Sequence, residues 1–133
     1  EICEHSSPEI FIHQNDAEDL RSTGIKTIAY MEDGDILRLG RRDLRVVHSP
    51  GHTEGSVCLY DNEIIATGDT AFPGGYFGRT DLKSGDRRKL IDSLDKLSRL
   101  NVRVMLPGHG EPLLSGASSH LRLARKTAEL VRY

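Results

Sequence analysis

Three short loops hold the residues best suited to chemistry: His48-Ser49-Pro50-Gly51-His52-Thr53-Glu54-Gly55, Thr67-Gly68-Asp69-Thr70, and Leu106-Pro107-Gly108-His109-Gly110-Glu111-Pro112. Each sets an imidazole or a carboxylate among glycine and proline. Glycine permits a close backbone approach and proline fixes a turn, so such a side chain can be aimed from the end of a strand. Imidazole and carboxylate are the donors that suit Zn²⁺, Mn²⁺ or Fe²⁺. Taken singly, each loop reads as an ordinary turn. The three together set a metal site level with that plain reading, and composition goes no further.

The elements that must position these loops follow from pattern. Pro8 to Gln14 carries the run Ile10-Phe11-Ile12 and reads as a strand buried on both faces. Asn15, with Glu18 three residues later, predicts an N-cap and a short helix over 16–21. Gly24, Gly34 and Gly40 punctuate a loop and a hairpin whose arms are 35–39 and 44–48, with Leu44, Val46 and His48 on one face. Two further strands, 56–60 and 63–67, flank the tight turn Asp61-Asn62. The glycine-rich stretch 69–85 has no period and reads as a functional loop. Asp86 caps a helix with apolar positions Leu90, Leu94 and Leu97. A strand follows over 102–106, and then a last helix striped by Ala117, Leu121, Ala124, Ala128 and Val131. A β-rich block followed by strand and helix pairs predicts one α/β layered domain over 1–133.

Composition sets outer limits. With 18 basic and 20 acidic residues the net charge is −2, which gives no general attraction to nucleic acid or an acidic membrane. Arg38, Arg41, Arg42 and Arg45 read as the wet rim of the hairpin. Cys3 and Cys58 are too few for a disulfide framework, and Cys58 reads as a small core residue, which fits a reducing, cytoplasmic setting. No apolar stretch reaches the length of a membrane span and no signal-peptide pattern is present. The opening Glu1-Ile2-Cys3-Glu4, without an initiator Met, reads as a cut edge, so a preceding segment is expected.

The ordered series His-Ser-Pro-Gly-His-Thr-Glu-Gly-Ser, Ala-Thr-Gly-Asp-Thr-Ala-Phe, Phe-Gly-Arg-Thr-Asp-Leu and Leu-Pro-Gly-His-Gly resembles the second half of the metallo-β-lactamase superfamily, and within it the glyoxalase-II-like hydrolases. The resemblance runs from about Pro8 to the end. It implies an αββα sandwich of which this chain is the C-terminal part, with metal ligands on loops at one edge of two packed sheets. It implies that His52 completes a three-histidine first site, that Asp69 bridges two metals and is catalytic, and that His109 serves the second site. The family signature His-x-His-x-Asp-His, which supplies the other ligands, lies upstream of the matched part. None of His5, His13, His48, His52, His109 and His120 is separated from another by a single residue.

The activity so implied is hydrolysis of a small-molecule thioester or ester by a metal-bound hydroxide, with two zinc ions in the complete site. Two alternatives stand beside it. Persulfide dioxygenases resemble the chain in the Gly-Arg-Thr-Asp region, which implies a mononuclear non-haem iron held by His52 and Asp69, with His109 a bystander. A non-catalytic fragment or binding module, with sheet faces exposed for self-association into a homo-oligomer, is the other. Among the remaining residues, His48 reads as support for the ligand loop. His13 reads as structural, and His5 and His120 as solvated. Arg79 and Asp81 pair with each other or with backbone, while Tyr76 and Arg79 are candidate substrate contacts because they lie in the irregular segment beside Asp69.

Overall fold

A computed structural model describes residues 8–18 and 28–131. Its central sheet has five strands: β3 (Ile36–Leu39), β4 (Arg42–His48), β5 (Val57–Tyr60), β6 (Ile64–Gly68) and β9 (Val104–Pro107), side by side in that order. β3 to β6 form an antiparallel meander, as tight turns at Gly40 and Asp61-Asn62 allow. β9 pairs parallel to β6, which requires a long connection, and helix α1 (Arg87–Ser98) lies within it. Helix α2 (Ala117–Leu130) follows β9 and packs on α1.

Alternation along the strands decides which face is core. Val47, Cys58, Ile65 and Met105 join Leu90, Leu94 and Leu97 of α1 and Leu121, Ala124 and Ala128 of α2 in one cluster. Each fully buried leucine stabilises the fold by about 1.5–3 kcal/mol relative to exposure. Asp86 caps α1 by accepting from the Lys89 N–H at 3.0 Å, as its position predicts. α2 begins after Gly116 in the left-handed region without a side-chain cap. At its C-terminal end the Arg87 guanidinium donates to the carbonyls of Ala128 and Val131, which satisfies acceptors the helix leaves open. The opposite face of the sheet holds fully buried Val46 but also Leu106, which is 41% exposed. The described residues thus form an α/β architecture, the five-stranded sheet with a helical layer on one face.

Three expectations change. β1 (Ile10–His13) is not buried on both faces: Phe11 is exposed and only His13 is buried. Among the described residues its strand neighbour is β2 (Ile28–Met31), which the pattern did not predict, and the two pair in parallel. The capping residue after β1 is His13 rather than Asn15: its imidazole Nδ1 accepts from the Asn15 N–H at 3.3 Å and opens a 3₁₀ turn over Gln14–Asp16. Helix follows at Ala17 and Glu18, as expected over 16–21, while residues 19–21, Gly24 and His5 lie outside the described residues. Finally, the segment 69–85 is not wholly irregular. It contains a small antiparallel ladder of β7 (Ala71–Phe72) and β8 (Tyr76–Phe77), joined by a 3₁₀ turn at Pro73–Gly75. Among the described residues no helix is long and apolar enough to cross a membrane.

Candidate metal centre

Strand direction brings the three loops together. β4 and β6 are both antiparallel to β5, so they run the same way, and β9 is parallel to β6. The C-terminal ends of β4, β6 and β9 therefore share one edge of the sheet, and from them emerge the loops bearing His52, Asp69 and His109. The last two loops are stitched by the Gly108 N–H, which donates to the Gly68 carbonyl at 2.8 Å. A side chain at Gly108 would begin 2.2 Å from Asp69 Oδ1, so only glycine leaves room for that carboxylate.

Asp69 is the common point. Its Oδ2 lies 3.5 Å from His52 Nε2 and 3.3 Å from His109 Nε2. His52 and Asp69 are largely sheltered, with side chains 19% and 26% exposed, whereas His109 is 80% exposed and closes the site from outside. The other ring nitrogen of His52 is 2.8 Å from the Arg79 carbonyl oxygen. A carbonyl can only accept, so Nδ1 carries the proton and donates to it, and Nε2, turned toward the Asp69 carboxylate, is the nitrogen left for a metal. That is the tautomer a metal-ligating imidazole needs, and a backbone carbonyl is a usual partner for its far nitrogen. The donor types and this orientation fit a divalent metal. Both histidine contacts are nevertheless pairwise on Asp69. Among the described residues no group of three or more His, Cys, Asp or Glu side chains forms a set that could hold a metal ion by itself.

Buried hydroxyls tie the first two loops together behind the site. Ser49 Oγ, three residues before His52, lies 3.2 Å from Thr70 Oγ1, beside Asp69, and 3.3 Å from Cys58 Sγ. Thr67 Oγ1 donates to the Ala71 carbonyl at 2.7 Å. Burial pushes the Cys58 thiol up to about 11, so it stays protonated and serves only packing and this network. The His52 loop has a second anchor that sequence pattern missed. Asp16 accepts from the Thr53 hydroxyl at 2.6 Å and from the buried Gly55 N–H at 2.8 Å. An acidic residue in a short turn carries no sequence signal for a contact across 37 residues.

The other candidates sort by what they touch. His48 Nε2 is 2.9 Å from the Glu54 carbonyl, and its ring stacks on His13 at 4.1 Å. His13, buried, has its pKa held below the ordinary value by desolvation and by neighbouring His48. His120 is not merely solvated: its Nδ1 accepts from the Gly74 N–H at 2.8 Å. The Arg79 guanidinium is paired with Asp81 through contacts of 2.6 and 2.7 Å. Tyr76 stands exposed on a groove of about 500 Å³, shared with Phe72, Pro73 and His109. Of the basic residues of the hairpin, Arg38 pairs at the surface with Asp43, and Arg42 with Asp61 and Glu63.

Residues 2–109 match the model of the metallo-beta-lactamase superfamily. The chain is 34% identical to the acyl-coenzyme A thioesterase MBLAC2 of Homo sapiens over 115 residues, which cover 81% of this chain and 39% of that protein. It is 39% identical to the hydroxyacylglutathione hydrolase GloC of Haemophilus influenzae over 85 residues, 61% of this chain and 40% of that one. The solved structure of TTHA1623 in a di-iron-bound form superposes with a TM-score of 0.70 at 28% identity, covering 95% of this chain and 66% of that one. The chain thus spans about two fifths of the length of the curated relatives it matches.

Proposed function

The chain belongs to the metallo-β-lactamase superfamily, and we propose on that footing that the intact protein is a metal-dependent hydrolase of thioesters or esters. The observation that carries this reading is the sharing of Asp69 Oδ2 between two imidazoles, one of them already turned by a backbone carbonyl. His52 and Asp69 would hold a first metal and Asp69 and His109 a second, with the remaining ligands supplied by a segment upstream of the matched part. Zinc is the metal proposed. When bound, such a pair lowers the pKa of a water toward neutrality and polarises a carbonyl oxygen.

The chain's own residues do the rest. Asp69 orients the attacking water through its carboxylate, and the Ser49–Thr70 contact keeps that carboxylate at a fixed distance from the His52 loop. His52 Nε2 and His109 Nε2 act as fixed donors rather than bases. The groove bounded by Phe72, Pro73 and Tyr76 opens beside His109 and offers an apolar wall for the acyl part of a small-molecule substrate. The thioester reading draws support from two relatives whose names state thioester chemistry, MBLAC2 and GloC.

The test is His109→Ala in the intact protein. The dinuclear reading predicts that the second metal is lost while the first is largely retained. Thioester hydrolysis then falls on the order of a hundredfold or more, the usual cost of removing one contact to a developing oxyanion. A variant that keeps one iron per chain and still consumes oxygen with a persulfide would establish the mononuclear oxygenase instead. Full thioesterase activity with the second position empty would contradict the dinuclear mechanism.

A further inference from the structure

The sheltered imidazole of His52 is oriented by a group that belongs to no side chain, and the feature that brings this group into range is a missing one. Strand β8 ends at Phe77, and the chain then passes Gly78 directly over the backbone of Asp69. A Cβ built on Gly78 would lie 1.9 Å from the Asp69 carbonyl oxygen, 3.1 Å from its carbonyl carbon and 3.1 Å from His52 Nδ1. Ordinary contact begins at 3.4 Å, so the first of these is an overlap of about 1.5 Å with main chain. Main chain cannot swing aside as a flexible side chain can. Gly78 is buried, and the next carbonyl along, that of Arg79, accepts from His52 Nδ1 at 2.8 Å.

We infer that Gly78 is a positioning residue for His52: the absence of a side chain there lets the Arg79 carbonyl reach Nδ1 and so fixes the tautomer that frees Nε2. Any side chain at 78 must lift the segment 78–80 away from Asp69. A 2.8 Å bond displaced by more than an ångström is no longer a hydrogen bond. His52 then loses the partner that selects between its two neutral forms. In metal sites, loss of such a partner costs roughly 10–100-fold in metal affinity. The Arg79 guanidinium is not part of this device, because it faces away into its pair with Asp81.

The inference rests on the metal-centre reading for its consequence, but the tautomer is a property of the protein alone, and the experiment separates the two. In the metal-free intact protein, ¹⁵N-edited NMR of the imidazoles should show a proton on His52 Nδ1, whether or not the Asp69 carboxylate also draws one onto Nε2; a bare Nδ1 would overturn the proposal without any variant. Gly78→Ala should populate both tautomers and weaken zinc binding, by chelator competition, 10–100-fold. Gly75→Ala is the control, since a Cβ there would meet the Leu123 side chain at 2.4 Å, in the turn before β8 and without touching the main chain of 78–80. It should destabilise the fold yet leave the His52 tautomer and zinc affinity within about twofold. Equal losses of zinc in both variants would reassign the effect to general packing and refute the role of Gly78. A parent protein with the expected tautomer but no zinc affinity would refute the metal reading and leave the positioning intact.

Discussion

Removing the Asp16 carboxylate should loosen the His52 loop by an amount that can be worked from its contacts. Asp16 accepts two hydrogen bonds, from Thr53 Oγ1 and from Gly55 N. The Thr53 hydroxyl has a second neighbour, Ser56 Oγ at 2.7 Å, and can turn to it. Gly55 is buried and the Asp16 oxygen is the acceptor its N–H faces, so in Asp16→Ala that donor is stranded. Hydrogen bonds to a charged group contribute about 1.5–3 kcal/mol, and a stranded buried donor costs about 1–3 kcal/mol. The two figures describe one loss seen from either side, so Asp16→Ala should cost about 2–3 kcal/mol. Asp16→Asn keeps the acceptor for Gly55 and presents an amide that can donate to Thr53, so it should cost under about 1 kcal/mol. In urea unfolding of the intact protein the alanine variant should lower the midpoint by about 1 M at an unchanged slope near 2 kcal/mol/M. Equal midpoints for the alanine and asparagine variants would refute the reasoning, since they would show that the Gly55 N–H does not depend on this carboxylate.

Other outcomes follow from the same structure. Cys58, buried and pushed up to about 11, should resist alkylation at pH 8 in the native protein and react at once on unfolding; rapid native-state labelling would show the core around it open. The folded pKa of His13 is depressed, so the unfolded chain binds more protons, and this histidine's share of stability is present at neutral pH. It is lost as pH falls from the unfolded value near 6.5 down to the lowered folded value. One such group contributes a slope of at most about 1.4 kcal/mol per pH unit, and His13→Gln should flatten the stability profile in that window. Leu94→Ala, in the fully buried seam between α1 and the sheet, should cost about 2–5 kcal/mol in the same unfolding assay.

Much of this architecture can be read from residue pattern, and the parts that cannot share a cause. Asp86 with Leu90, Leu94 and Leu97 marks the start and the buried face of α1, because a cap and a helical stripe are local signals. The β4–β5–β6 meander is equally legible, since its partners are adjacent in sequence and the β5–β6 turn is tight. β2 was not, because it pairs in parallel with a strand 18 residues away and has no hairpin turn to announce it. The two-residue strands β7 and β8 are too short to show any period. At the site, the side chains His52, Asp69 and His109 stand out by type and setting, and strand direction brings them to one edge. Their supports do not stand out in the same way. The Arg79 group that meets His52 is a carbonyl, which every residue has, and the clearance at Gly78 and Gly108 appears only once the backbone is folded. Arg79 drew notice in the sequence for its charged side chain, and that side chain is spent on Asp81.

The central claim, that Asp69 joins the two metal positions, is tested most directly by metal analysis of the intact protein in three forms: parent, Asp69→Ala and His48→Ala. Asp69 Oδ2 faces both imidazoles, whereas His48 is engaged with the Glu54 carbonyl and the His13 ring. The account predicts up to two zinc ions per chain in the parent, retention of most of that zinc in His48→Ala, and loss of most of it in Asp69→Ala. Equal metal loss in the two variants would contradict it, and so would an Asp69→Ala protein that keeps the parent's full metal content.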